Sequence, residues 1–205
     1  MLSGAAVDCE RILESWWGQP VNTSTAFAFV LAGLWVFFRD GSVSTSALIT
    51  GVGAGSIAFH GPMPIWGEFL HDLTIGWVLI WVILTETKRT RFWPVAFSGV
   101  GLMMLAPVVA DPAQGVLSIG AIVFVLIGRH PQRFSIVGLL ALGAAIGTLS
   151  RTGWPWCDPD SIWQGHGFWH LAAAAALALW ALPPTQLSAR GFAGNVSGPG
   201  PARSG

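Results

Sequence analysis

The sequence predicts an all-α integral membrane protein, a bundle of seven transmembrane helices, and three observations carry that reading. Hydrophobic residues make up 53% of the 205 and charged residues only 10%, where soluble globular domains carry about 25% charge. Apolar runs near the length that crosses a bilayer as a helix, about 20 residues, recur from Pro20 onward. There are 12 Trp and no Tyr. Many of the Trp (Trp16, Trp17, Trp66, Trp93, Trp154, Trp156 and Trp163) stand at the ends of those runs, where an interfacial aromatic belt belongs. Net charge is zero, and nothing suggests a nucleic-acid partner.

The runs read, in order, as Pro20 to Phe38, Val43 to His60, Trp66 to Thr85, Phe92 to Val109, Gln114 to Gly128, Phe134 to Ser150 and Ile162 to Leu182. The fourth has Pro107 near its end and the fifth is short, so the boundary between them is the least fixed. Gly51, Gly53 and Gly55, and Gly138, Gly143 and Gly147, read as sites of close helix approach. The chain divides into an N-terminal segment (1–19), a membrane domain (20–183) and a tail (184–205) rich in Gly, Ser and Pro that reads as disordered. Met1 to Val7 lack the basic and apolar regions of a signal peptide, so no cleaved leader is expected. No internal repeat stands out.

Charge sorts by side. Segments on the N-terminal side carry Arg11 and Arg151. Those on the opposite side carry Arg39, Lys88, Arg89, Arg91, Arg129, Arg133, Arg190 and Arg203. The positive-inside rule then puts the N-terminus outside and the C-terminus in the cytoplasm. The outer side collects Asp8, Glu10, Glu14, Glu68, Asp111, Asp158 and Asp160.

Within that topology the polar residues of the apolar runs converge on the outer end. His166 and His170, four apart, share one face of the last helix, a spacing that lets two imidazoles reach one metal ion. His60 closes the second helix, Ser56 lies one turn before it on the same face, and Asp72 lies about two turns into the third. Ionisable groups at membrane depth are costly and tend to mark functional sites. Three neutral imidazoles with a fourth position for water are the ligand set of a catalytic zinc. A nearby carboxylate can take that water's proton, and a hydroxyl can stabilise an oxyanion. Blander readings stand beside these. The His pair alone serves equally well as two interhelical hydrogen bonds, and Ser56 among glycines as a packing residue. Asp72 needs a partner in either case. His71, about 100° around the helix from Asp72, reads as an interfacial histidine, and His130 as a cytoplasmic-loop residue. The order Gly-Ala-Gly-Ser does not supply a serine-hydrolase elbow, and His-Gly-Phe-Trp-His lacks the Glu of the zincin motif.

Ser56-Ile-Ala-Phe-His60, Asp72 twelve residues on, and His166-x-x-x-His170 resemble the alkaline ceramidases and the wider superfamily of seven-helix hydrolases that includes the progestin and adiponectin receptors. Cys9-Glu10 and Gln19-Pro20-Val21-Asn22-Thr23 resemble the ceramidase branch. The resemblance runs from about Asp8 to about Leu182. It implies zinc on His60, His166 and His170, Asp72 as acid/base, Ser56 at the oxyanion, and hydrolysis of the N-acyl amide of ceramide or a related membrane lipid. Two alternatives stay open: a receptor-like member with a mainly structural zinc, and a haem-binding cytochrome with histidine axial ligands. Calcium is expected to bind weakly or not at all. Glu10 follows Cys9 as the resemblance requires, but Gln19 stands where an acid is expected, and Asp8 and Glu14 are not securely on the motif; ligand charge count largely sets affinity. Cys9 and Cys157, the only cysteines, both fall on the outer side. They read either as two unrelated interfacial thiols or as one disulfide, and the resemblance also implies the bridge.

Overall fold

The structure, a computed structural model, describes residues 4–182. Among these it is all-helical, with no strands. Seven α-helices follow in order: α1 (Pro20–Asp40), α2 (Val43–His60), α3 (Gly67–Glu86), α4 (Trp93–Met104), α5 (Pro107–Ile127), α6 (Arg133–Leu149) and α7 (Gly165–Ala181). A 3₁₀ turn at Gly4–Asp8 precedes them, and another, Thr90–Phe92, leads into α4. The tail expected to be disordered and cytoplasmic lies outside the described residues.

Local chemistry sets the helix ends. Pro20 opens α1, where a missing N–H costs nothing because the first turn has no intrahelical acceptor for it. Gly41 closes α1 in the left-handed region, φ 73°, and donates its N–H to Phe37 O. Pro107 gives the one substantial departure from the expected boundaries. It opens α5 instead of lying inside the fourth helix, after Ala106 in extended conformation, as the residue before a proline prefers. The fourth helix therefore shrinks to 12 residues, about 18 Å. The fifth grows to 21 and runs through Pro112. In α7 the start moves from Ile162 to Gly165, because Gln164 turns its side-chain amide back onto the carbonyls of Asp158 and Ser161.

α1, α3 and α5 are long and apolar enough to cross a membrane, consistent with a membrane protein. α1 packs on α2 and α7, α7 on α6, α2 on α3, and α3 on α4 and α5. One core of Phe29, Val36, Ile49, Val52, Val78 and Ala174 joins α1, α2, α3 and α7. A second, of Val82, Ala121, Val125, Ile136, Ala176 and Trp180, closes the far end between α3, α5, α6 and α7. The expected role of glycine in close packing holds at Gly55, where a Cβ would lie 3.0 Å from Leu70 O on α3, and at Gly143, where it would lie 2.8 Å from the Ala172 Cβ on α7. It does not hold at Gly138, which faces open space.

Candidate metal centre

α2 ends, and α3 and α7 begin, at the same end of the bundle. His60 stands on the last residue of α2, and His166 and His170 on the first two turns of α7. The α1–α7 contact sets Phe29 edge-on to His170, and Phe59, the preceding residue of α2, stands edge-on to His60. The three imidazole rings meet with centroids 4.6 to 5.2 Å apart. One nitrogen from each comes within 4.8 Å of the others, close enough to hold a single metal ion. His60 and His170 are almost fully buried and His166 half-buried.

Which nitrogen faces inward is decided by the partners of the other. His60 Nδ1 lies 2.6 Å from Gln19 Oε1. The Gln19 amide cannot be reversed, because its Nε2 donates to Ala5 O (2.8 Å) and Glu10 O (2.9 Å). An oxygen that can only accept therefore requires the proton on His60 Nδ1. His170 Nδ1 is 3.1 Å from Asn22 O, again only an acceptor, and 3.1 Å from Thr25 Oγ1, which gives its own proton to the α1 carbonyls. His166 Nδ1 is 3.0 Å from Asp8 Oδ1. All three rings are thus fixed as Nδ1–H tautomers with the Nε2 lone pair free. All three Nε2 atoms are buried without a hydrogen-bond partner. Buried polar groups left unpaired are rare and costly, and metal-bound histidines characteristically donate their other N–H to a carboxylate, carbonyl or amide oxygen. The donor set fits a divalent metal, and three imidazole nitrogens are a borderline-soft set suited to zinc, copper, iron or nickel.

The remaining expected site residues fall around this centre. Ser56 is buried one turn before His60 on α2. Asp72 lies outside the converging ligand group. Its Oδ1 is 3.0 Å from Nδ1 of His71, and both side chains are half-buried. The His71 ring lies 4.8 Å from that of Phe59 and 6.0 Å from that of His60, so it stands beside the three histidines. Glu10, the candidate calcium ligand, spends both carboxylate oxygens on the N-terminus of α1, accepting from Val21 N (2.6 Å) and Asn22 N (2.8 Å). Burial raises its pKa above the usual 4.5, against the pull of those two N–H groups. Glu14 is exposed. Cys9 and Cys157 form a disulfide. Asp8, Gln19 and the Asn22 carbonyl are the partners that residue spacing does not reveal, because each reaches its histidine from 41 to 158 residues away along the chain. Between the end of α6 and the start of α7, a cavity of about 260 Å³ is walled by Ile146, Trp156, Trp163 and Phe168, with Ser150 and Gln164; none of the three histidines lines it.

No protein-family model matches the chain, and no curated protein matches its sequence.

Proposed function

We propose that the protein is a zinc-dependent intramembrane hydrolase that cleaves the N-acyl amide of ceramide or a related lipid, giving a fatty acid and a sphingoid base. The observation that carries this reading is the set of three unpartnered, buried Nε2 atoms whose rings are each held from behind by an acceptor. Three imidazoles converging on one point suit a single small ion, whereas haem is held by two opposed ligands. Zinc on His60, His166 and His170 would supply Lewis-acid polarisation of a carbonyl and a water acidic near neutral pH.

The chain's own residues then divide the work. Asp72 takes the proton of the attacking water and returns it to the leaving amine, with His71 bonded to its Oδ1 and orienting it. Ser56, one turn from His60, donates its hydroxyl to the developing oxyanion. The aromatic cavity beside Gly165 offers apolar wall to a lipid chain. In this reading all seven helices lie in lipid, with the N-terminus and the site toward the outer face and the C-terminus cytoplasmic. Exposed Leu31, Trp35 and Phe38 on α1 and Val116, Ile119 and Ile127 on α5 support lipid contact, since apolar area of that extent is unfavourable against water.

The test is release of fatty acid from ceramide by the detergent-purified protein, stripped of metal and then reloaded with zinc. Release that requires zinc is expected. Equal release from the stripped and the loaded protein would count against the assignment.

A further inference from the structure

The N-terminal segment is fastened over the metal centre at several separate points. Thr152 N donates to Val7 O (3.0 Å), Thr152 Oγ1 donates to Ala6 O (2.8 Å), and Cys9 N donates to Thr152 Oγ1 (3.2 Å). Arg11 N bonds Pro159 O (3.1 Å), and the Arg11 guanidinium pairs with Asp160. Cys9 itself is covalently joined to Cys157. At that residue the backbone takes φ 70°, a left-handed conformation that a non-glycine residue seldom holds unless its surroundings impose it. The kink falls next to Asp8, whose carboxylate turns inward to His166 Nδ1. Asp8 meets the ring at the nitrogen away from the ligand centre, so its action on a metal passes through the orientation of His166.

We propose that the Cys9–Cys157 bond sets the metal affinity of the three-histidine centre, with Asp8 as the positioning residue through which it acts. This rests on the reading that the histidines hold a metal. With the bond intact, Cys9 keeps its left-handed turn and Asp8 holds the His166 ring with its Nε2 toward His60 and His170. With the bond cut, Cys9 relaxes to ordinary backbone, Asp8 leaves Nδ1, and His166 becomes a mobile third ligand. Cys9 and Cys157 lie 148 residues apart in sequence, so the link ties the α6–α7 loop, which leads into His166, to the segment that carries its partner.

The experiment measures zinc affinity by chelator competition, and the cobalt(II) absorption spectrum, for the detergent-purified parent, Asp8→Ala, Asp8→Asn, Cys9→Ser/Cys157→Ser and the Asp8→Ala triple variant. Loss of a partner behind a metal-bound histidine typically weakens binding about 10–100-fold. Asp8→Ala and the double serine variant should each show a loss of that order with an altered cobalt spectrum. Asp8→Asn, which keeps an acceptor oxygen, should lose less. The triple variant should bind no more weakly than Asp8→Ala, because both changes remove one interaction. Far-ultraviolet helicity is recorded for each, and Asp8→Asn remains informative if the serine variant loses its fold. Unchanged affinity in helical Asp8→Ala, or losses that add in the triple variant, would overturn the proposal. A parent that binds no metal would overturn the metal reading and this inference with it.

Discussion

At the end of the bundle where α2 stops and α3 and α7 begin, the buried residues include Asp8, Glu10, Gln19, Asn22, Thr23, Ser56, His60, Gln164 and His170. At the opposite end the core is Val82, Ala121, Val125, Ile136, Ala176 and Trp180. Polar groups there close on one another: Trp180 Nε1 donates to Glu86 Oε1 (2.9 Å), and His130 Nε2 meets Trp180 O (3.0 Å), a carbonyl of the last turn of α7. Unpartnered atoms occur at that end too, Ser46 Oγ on the first turn of α2 and Gln132 Oε1 at the head of α6, but among the described residues no group of metal-ligating side chains gathers there. Among the described residues, only at the first end do three unpaired histidine nitrogens come together, with Asn22 Oδ1 a further unpartnered atom nearby. The far end thus holds helices together, and the near end brings three histidines close enough to hold a metal ion.

Substitutions should separate the two ends. The largest effect is expected from Asp72→Asn, which keeps the histidine centre but removes the proposed proton acceptor. Hydrolysis should fall about 10²–10⁴-fold with zinc retained, and parental turnover would make the carboxylate structural. Next in size is Cys9→Ser/Cys157→Ser. Opening a long cross-linked loop costs up to about 5 kcal/mol by the chain-entropy estimate, seen as a lower midpoint in thermal unfolding. A midpoint equal to the parent's would show that the strap is held by its hydrogen bonds alone.

At the far end, Trp180→Phe removes the bond to Glu86 and should cost about 1 kcal/mol of stability without changing zinc affinity. A loss of zinc in that variant would break the division between the two ends. The smallest effect concerns Glu10. Its folded pKa is raised above 4.5 by burial, so its contribution to stability is fully present below 4.5 and is lost as pH rises through the raised value. Melting temperature of the parent should therefore fall relative to Glu10→Gln between pH 4.5 and neutrality. Parallel curves would show that the two N–H groups of α1 offset burial completely.

Much of this was legible in the sequence. Hydropathy and turn residues placed α2 to the residue and α1, α3 and α6 within two, and four-residue spacing at the head of α7 marked His166 and His170. The α4–α5 boundary was not legible, because a proline can end one helix or open the next, and only the extended backbone at Ala106 decides. The packing of the His71 ring near Phe59 and His60 was not legible either, because helical phase alone does not report a tertiary contact. Gln19 looked like a missing acid. Its amide in fact fixes the His60 tautomer, which depends on two backbone carbonyls, Ala5 and Glu10, brought together only by the fold.

The central claim is that three histidines form one metal site, and metal analysis of the purified protein tests it most directly. About one zinc per chain is expected in the parent, since three protein nitrogens leave one position of a tetrahedral ion open. His170→Ala, which deletes one of only three ligands and with it the ring N–H that meets Asn22 O, should carry essentially none. Full zinc occupancy in His170→Ala, or a parent that takes up no metal, would contradict the account.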